Sequence, residues 1–259
     1  NGNIVNPDFC PDVSDEDINK NKVSLAGGKG ASLGEMYNSG FSVPYGFVIL
    51  SSAFEKHLKN KNLDKKITEI LKKTKTNEKT IENASKDIQK LVIDSCFSKD
   101  LEKEVITAFK QLETSFVAVR SSATAEDSIK DAWAGQLDTF LYIPEKEIIE
   151  YVKKCWASLF NERAIFYRIE KGLLDKKISV AVVVQKMVNS EKAGIAFSVN
   201  PVTNNREEII IDAGYGLGET VVSGQITPDN YVVSKDLEIK QKTKGRQEKG
   251  LFRKDSGSG

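Results

Sequence analysis

Lysine-rich helical text between about residues 54 and 113, strand-like runs from Ser179 onward and no repeat at a period of about 20–50 residues predict a mixed fold in two lobes, α+β or α/β. At 259 residues and 28.7 kDa the chain is long enough for a large core.

The elements follow in order. Ala31, Leu33, Met36 and Tyr37 have helical spacing, and Ser39-Gly40 ends that helix. Val43-Pro44-Tyr45-Gly46 is a turn before a buried strand at Phe47 to Leu50. Ser52-Ala53-Phe54-Glu55 has the form of a capping box, in which hydroxyl and carboxylate each satisfy a free backbone N–H. Ile67, Ile70 and Leu71 form one helical stripe; Ile81, Ala84, Ile88, Leu91 and Val92 form another. The intervening lysines read as solvated faces.

Phe116 to Val119 is a strand entering a polar loop, Arg120 to Asp127, and Leu137 to Ile143 is a second strand. Pro144 opens a helix whose apolar side holds Ile148, Ile149, Val152, Trp156, Leu159 and Phe160, with Gly172 as its stop. Strands follow at Ser179 to Met187, Ile195 to Val199, Glu208 to Asp212 and Tyr231 to Ser234. The tail through Ser256-Gly257-Ser258-Gly259 holds no core and resembles a loop cut short.

The composition excludes several functions. A net charge of +1 gives no global field for nucleic acid or an anionic membrane, so anion binding must be local. No basic and aromatic platform for RNA or single-stranded DNA is present. The longest aliphatic run, Val180 to Val184, falls far short of the roughly 20 residues of a membrane span. Asn1 to Pro7 has no signal-peptide pattern. Three scattered cysteines (Cys10, Cys96, Cys155) without a CxxC pair predict a reduced, cytoplasmic protein. One histidine, His57, sits among lysines on a helix that reads as exposed. A histidine-rich zinc site, a Ser-His-Asp triad and a Cys-His pair therefore lack support. Cys155 beside Trp156 reads as core packing.

Local anion chemistry is better represented. Gly27-Gly28-Lys29-Gly30 precedes a helix, where bare backbone amides would attract an anion; a flexible turn is the competing reading. It is not a P-loop, because Val23 and Gly30 stand where that motif needs glycine and Ser or Thr. Gly214-Tyr215-Gly216-Leu217-Gly218-Glu219 is a ligand loop or a structural turn. It is no dinucleotide fingerprint, since Glu219 replaces the last glycine.

With 32 lysines and six arginines, an arginine hints at a need for the planar fork that grips phosphate or carboxylate. Arg120, among hydroxyls in Arg-Ser-Ser-Ala-Thr, reads as ligand-facing. Arg163 and Arg168 read as ion-paired scaffolding on the polar side of a helix. Glu126-Asp127 is an acid or metal pair, or simply an exposed loop.

Several blocks together resemble the ATP-binding, ATP-grasp-like domain of the phosphoenolpyruvate synthase and rifampin phosphotransferase group. They are Ala26-Gly-Gly-Lys-Gly-Ala-Ser-Leu-Gly-Glu-Met36, Val43-Pro-Tyr-Gly-Phe47, Val119-Arg-Ser-Ser-Ala-Thr-Ala-Glu-Asp127 and Ala134-Gly-Gln-Leu-Asp-Thr-Phe-Leu141. Cys155-Trp-Ala-Ser-Leu-Phe-Asn-Glu-Arg-Ala-Ile165, Val182-Val-Val-Gln-Lys-Met187, Phe197-Ser-Val-Asn-Pro201, Gly216-Leu-Gly-Glu-Thr-Val-Val-Ser-Gly224 and Thr227-Pro-Asp229 complete the set. Pyruvate phosphate dikinase is a more distant likeness, with Arg-Ser-Gly-Ala where this chain has Ser122.

The resemblance implies a two-lobed ATP-grasp-like domain. Its first lobe would be 1–187, with a helical insert at about 54–113, and its second 188–259, incomplete at the C-terminal side. It implies ATP and Mg²⁺ as cofactors. The β-phosphoryl group would pass to a histidine on a swivelling domain, and then to pyruvate or a rifamycin held by an acceptor domain. A stand-alone nucleotide-binding regulatory module is the alternative. Carried over, Lys29 and Arg120 are the phosphate-binding cations, Arg120 also catalytic. Gly135 and Thr139 line the nucleotide, Gln185 begins a strand-end hinge, and the backbone of Lys186, Met187 and Val188 reads adenine.

Three departures accompany the likeness. The metal-facing Glu and Gln-x-Arg strand has no counterpart before Gly259, the Thr-x-His signature is absent, and Asn200 stands where many relatives carry Asp. The chain alone is therefore expected not to complete the transfer.

Overall fold

The computed structural model describes residues 4–5, 18–124, 138–174 and 179–253, and is of mixed helix and sheet. It divides into two compact units, Asn1–Met187 and Val188–Gly259.

The first unit is built on a five-stranded antiparallel sheet. Its strands are β1 (Ile4–Val5), β2 (Gly46–Ile49), β3 (Val117–Ala123), β4 (Thr139–Ile143) and β5 (Val180–Lys186), in the spatial order β1-β2-β5-β3-β4. The aliphatic run Val180 to Val184 lies in the middle strand because both sheet faces are covered, so alternation is not required of it. β3 is longer than expected. Arg120 to Ala123 continues the strand, with Ser121 paired to Val182 and Ser122 to Ala181. The serine hydroxyls find partners across the ladder and at α1, so a polar sequence stays extended. The rest of the expected loop, including Glu126-Asp127, lies outside the described residues.

One face of the sheet carries the main core. Phe47, Ile49, Val117, Val119, Val182 and Val184 pack against α2 (Ser51–Asn60), α3 (Leu63–Lys73), α4 (Glu78–Ile93), α5 (Lys99–Gln111), α6 (Ile148–Ala157) and α7 (Glu162–Glu170). The stripes Ile67–Leu71 and Ile81–Val92 bury as their spacing requires, each fully buried side chain contributing roughly 1.5–3 kcal/mol. α2 starts a residue before the expected capping box, straight from β2, and its N-cap, Leu50, makes no side-chain cap. The helix expected after Pro144 is two helices, because Asn161 ends a 3₁₀ turn and accepts the Ala164 N–H at 2.8 Å to start α7.

Two side chains of this layer depart from expectation. His57 is only 4% exposed; it contacts the rings of Trp156 and Phe97, and shares a 2.7 Å hydrogen bond with Ser95 Oγ. Arg168 is likewise buried rather than on a polar side, donates to the Leu174 carbonyl and has its pKa lowered to about 10 by burial. Arg163 lies on the exposed side, but among the described residues it forms no ion pair, contrary to the expectation of ion-paired scaffolding.

The opposite face carries α1 (Val23–Asn38) over Val48, Ala181 and Val183. The apolar spacing pointed to Ala31, Leu33, Met36 and Tyr37, yet the buried residues are Ala26, Gly27, Gly30, Ala31 and Gly34, and Met36 is 44% exposed. Small residues let this helix lie directly on the sheet. A Cβ on Gly30 would sit 3.4 Å from Val48.

The second unit is a four-stranded antiparallel sheet of β6 (Lys192–Phe197), β7 (Glu208–Tyr215), β8 (Asp229–Ser234) and β9 (Ile239–Thr243), with a short helix α8 (Glu219–Val222). β9 is fully exposed and, after Ile239, polar, so it carries no alternation that sequence reading could detect.

Candidate functional site

The site begins at a break in α1. Gly27 takes φ 69° and ψ 172°, and a Cβ there would lie 2.2 Å from Ser122 Oγ and 2.3 Å from the Ser122 carbonyl. The helix restarts against β3. Lys29 N–H donates to Ser122 Oγ at 3.1 Å and Gly30 N–H to the same oxygen at 3.3 Å. These amides are therefore not the bare donors that the glycine-rich text suggested, and the segment is neither a free anion cradle nor a loose turn. What remains for a ligand is the side chain. Lys29 Nζ donates to the Ser121 carbonyl at 2.8 Å, which leaves two of its three N–H groups.

Arg120 follows from strand register. It stands opposite Thr139 on β4 and Val183 on β5, and directly opposed residues of antiparallel strands share a face. Val183 belongs to the α1 side, so Arg120 and Thr139 project there, as does Gln185 two residues along β5. Lys29 approaches from α1 above that face. Both cations are half-buried. Burial, then the neighbouring Arg120 charge, lowers the Lys29 pKa from the ordinary lysine value; burial alone lowers that of Arg120. Among the described residues no carboxylate forms an ion pair with either. Two desolvated neighbouring cations with no described ion pair are chemically suited to a concentrated anion.

Gln185 is 9% exposed and donates from Nε2 to the Pro44 carbonyl at 3.1 Å, tying the Val43–Gly46 turn to the end of β5. Lys186 and Met187 donate their amides to the Tyr45 and Phe116 carbonyls at 2.7 and 3.1 Å. Of the amides of Lys186, Met187 and Val188, only the Val188 N–H has no described partner. Gly135 lies outside the described residues.

Part of the other glycine loop is tied into the fold. The amides of Tyr215, Gly216 and Leu217 donate to Gln247 Oε1, the Glu191 carbonyl and the Leu251 carbonyl at 2.9, 2.8 and 2.8 Å, so these three are committed within the fold. Cys155 is fully buried, and burial pushes its thiol pKa well up, which makes it inert packing. No group of three or more His, Cys, Asp or Glu residues able to hold a metal ion occurs among the described residues. No described helix is long and apolar enough to cross a membrane.

Two half-buried cations thus share one face of the first unit's sheet. Residues 23–259 match the family described as pyruvate phosphate dikinase, AMP/ATP-binding domain, and the chain belongs to that family. It is 46% identical over 249 residues to the probable phosphoenolpyruvate synthase of Methanocaldococcus jannaschii, covering 93% of this chain and 21% of that protein. Against the phosphoenolpyruvate synthase of Pyrococcus furiosus it is 39% identical over 279 residues, covering 92% of this chain and 34% of the relative. That of Aeropyrum pernix is 39% identical over 247 residues, with 92% and 30% covered. The chain thus spans about a fifth to a third of the length of these relatives.

Proposed function

We propose that this chain is the nucleotide-binding part of a phosphoenolpyruvate synthase, with units 1–187 and 188–259 as the two lobes of an ATP-grasp-like domain. The observation that carries this is the Lys29–Arg120 pair, half-buried on one sheet face with no described carboxylate partner. Such a pair suits the phosphates of ATP, since phosphoryl transfer depends on positioned charge. Arg120 and Lys29 hold and orient the phosphates, Thr139 offers a hydroxyl beside Arg120, and the Val188 N–H is the donor for the adenine edge. Gly135 belongs to the same proposal. Gln185 shapes the strand end through Pro44, and Lys186 and Met187 fix the backbone that carries Val188.

ATP supplies the β-phosphoryl group, which a histidine on another domain accepts and a further domain delivers to pyruvate. The relatives' names support the pyruvate acceptor. Mg²⁺ is part of the proposal as an ion held by phosphate and water oxygens. The described residues offer it no carboxylate cluster. A cytoplasmic setting fits the free thiols of Cys96 and Cys155.

The test is AMP formation by the full-length protein with pyruvate, with rifampicin and with neither. AMP that depends on pyruvate and is lost in Arg120→Ala is expected. Dependence on rifampicin would transfer the chain to the phosphotransferase reading. ATP binding without AMP under any condition would favour a regulatory module.

A further inference from the structure

We infer that Ser122 is the positioning residue of this site, acting on phosphate through Lys29; the inference rests on the phosphate role of Lys29 proposed above. The serine is fully buried, and its one oxygen accepts two consecutive amides of α1, those of Lys29 and Gly30. It is the N-terminal cap of the restarted helix, supplied from a strand 93 residues away instead of from the helix's own sequence. The preceding residue completes the hold, since the Ser121 carbonyl takes the Lys29 ammonium at 2.8 Å. Lys29 is therefore fixed to β3 at both ends, backbone by Ser122 and side chain by Ser121.

Two further features make the arrangement specific. Gly27 is the only residue type that fits, because any Cβ there would collide with Ser122 Oγ at 2.2 Å. The helix thus meets the strand at hydrogen-bond distance. In addition, Ser122 and Arg120 are two apart on β3 and share a face, so the oxygen that places Lys29 and the guanidinium beside Lys29 ride on the same rigid strand. The relative placement of the two cations is set by β3, before any ligand arrives. Preorganisation of this kind spares the ligand the cost of ordering a long lysine side chain.

The experiment is a double-mutant cycle in the full-length protein, with ATP and adenosine affinities read by calorimetry for wild type, Ser122→Ala, Lys29→Ala and the double variant. Ser122→Ala should weaken ATP by about five- to tenfold, the scale of one neutral hydrogen bond, and leave adenosine unchanged. In the Lys29→Ala background the same substitution should change ATP affinity by less than about twofold. A matched deletion of another buried hydroxyl, Ser85→Ala, whose Oγ donates to the Phe160 carbonyl, should lower stability without changing the ATP-to-adenosine ratio. If Ser122→Ala does not fold, Ser122→Gly removes the same oxygen and takes its place in the cycle.

Equal ATP losses with and without Lys29, or no loss at all, would overturn the role of Ser122 while leaving that of Lys29 intact. An unchanged ATP-to-adenosine ratio in Lys29→Ala itself would overturn the phosphate reading, and this inference with it.

Discussion

Arg120 stands directly opposite Thr139 in the β3–β4 ladder, on the sheet face that α1 covers. The pairing gives a hydroxyl to the same patch that holds the guanidinium. Thr139→Val keeps the β-branched shape and removes only the oxygen, so β4 should survive unchanged. ATP affinity should fall about three- to tenfold, with thermal stability altered little. An unaltered ATP affinity by calorimetry would remove Thr139 from the site.

Gly27 and Gly28 are neighbours with opposite demands. Gly27→Ala meets both a positive φ and the Ser122 side chain, and should cost at least about 3 kcal/mol or prevent folding. Gly28 has nothing within 4 Å of its would-be Cβ. Gly28→Ala should therefore be neutral, or stabilise by up to about 1 kcal/mol. Urea unfolding of the two variants compares them, and similar losses at both would contradict the packing of α1 on β3.

His57 makes stability depend on pH. Burial, aided by the positive charges of Lys61 and Lys153, lowers its pKa to about 4 from an ordinary value of 6.5. The folded state thus holds the ring neutral, and the unfolded chain takes up the proton first. Its contribution is fully present above about pH 6.5 and is lost as pH falls toward 4. Between pH 7.5 and 4.5 the wild type should lose about 2 kcal/mol more than His57→Asn, measured by urea titration. Parallel losses in the two proteins would show that this ring is not the titrating group.

Asn200 does something that an aspartate in its place could not. Its Oδ1 accepts the amides of Val202 and Thr203 at 3.0 and 3.2 Å, while its Nδ2 donates to Glu208 Oε2 at 2.7 Å. Asn200→Asp keeps the turn but sets two carboxylates together, and should cost about 1–2 kcal/mol near pH 7. The loss should shrink as pH falls into the carboxylate range. A pH-independent loss would mean that the turn, not the Glu208 contact, was damaged.

The sequence made the helical layer and most strands legible because burial imposes period 3.6 or 2 on stripes such as Ile81 to Val92. It was less informative where contact replaces periodicity. The buried side of α1 is Ala26, Gly30 and Gly34, residues with too little side chain to register as an apolar stripe. His57 looked exposed because its flanking lysines are, although its own face meets Trp156. β9 is exposed on both sides. Of the proposed site, Lys29 and Arg120 stand out in the sequence through motif and through the scarcity of arginine. Ser122 was not visible as a cap, since nothing local in the chain links a β3 hydroxyl to amides at residues 29 and 30. A serine placed two after Arg120, facing a glycine-broken helix, was the available signal.

The central claim is that Lys29 and Arg120 bind the phosphates of ATP. Isothermal titration of the full-length protein with ATP and with adenosine, in wild type, Lys29→Ala and Arg120→Ala, tests it most directly. Each substitution removes a charge-assisted contact and should weaken ATP by about ten- to a hundredfold while adenosine affinity stays within about twofold. Equal losses for ATP and adenosine, or none for either, would contradict the account.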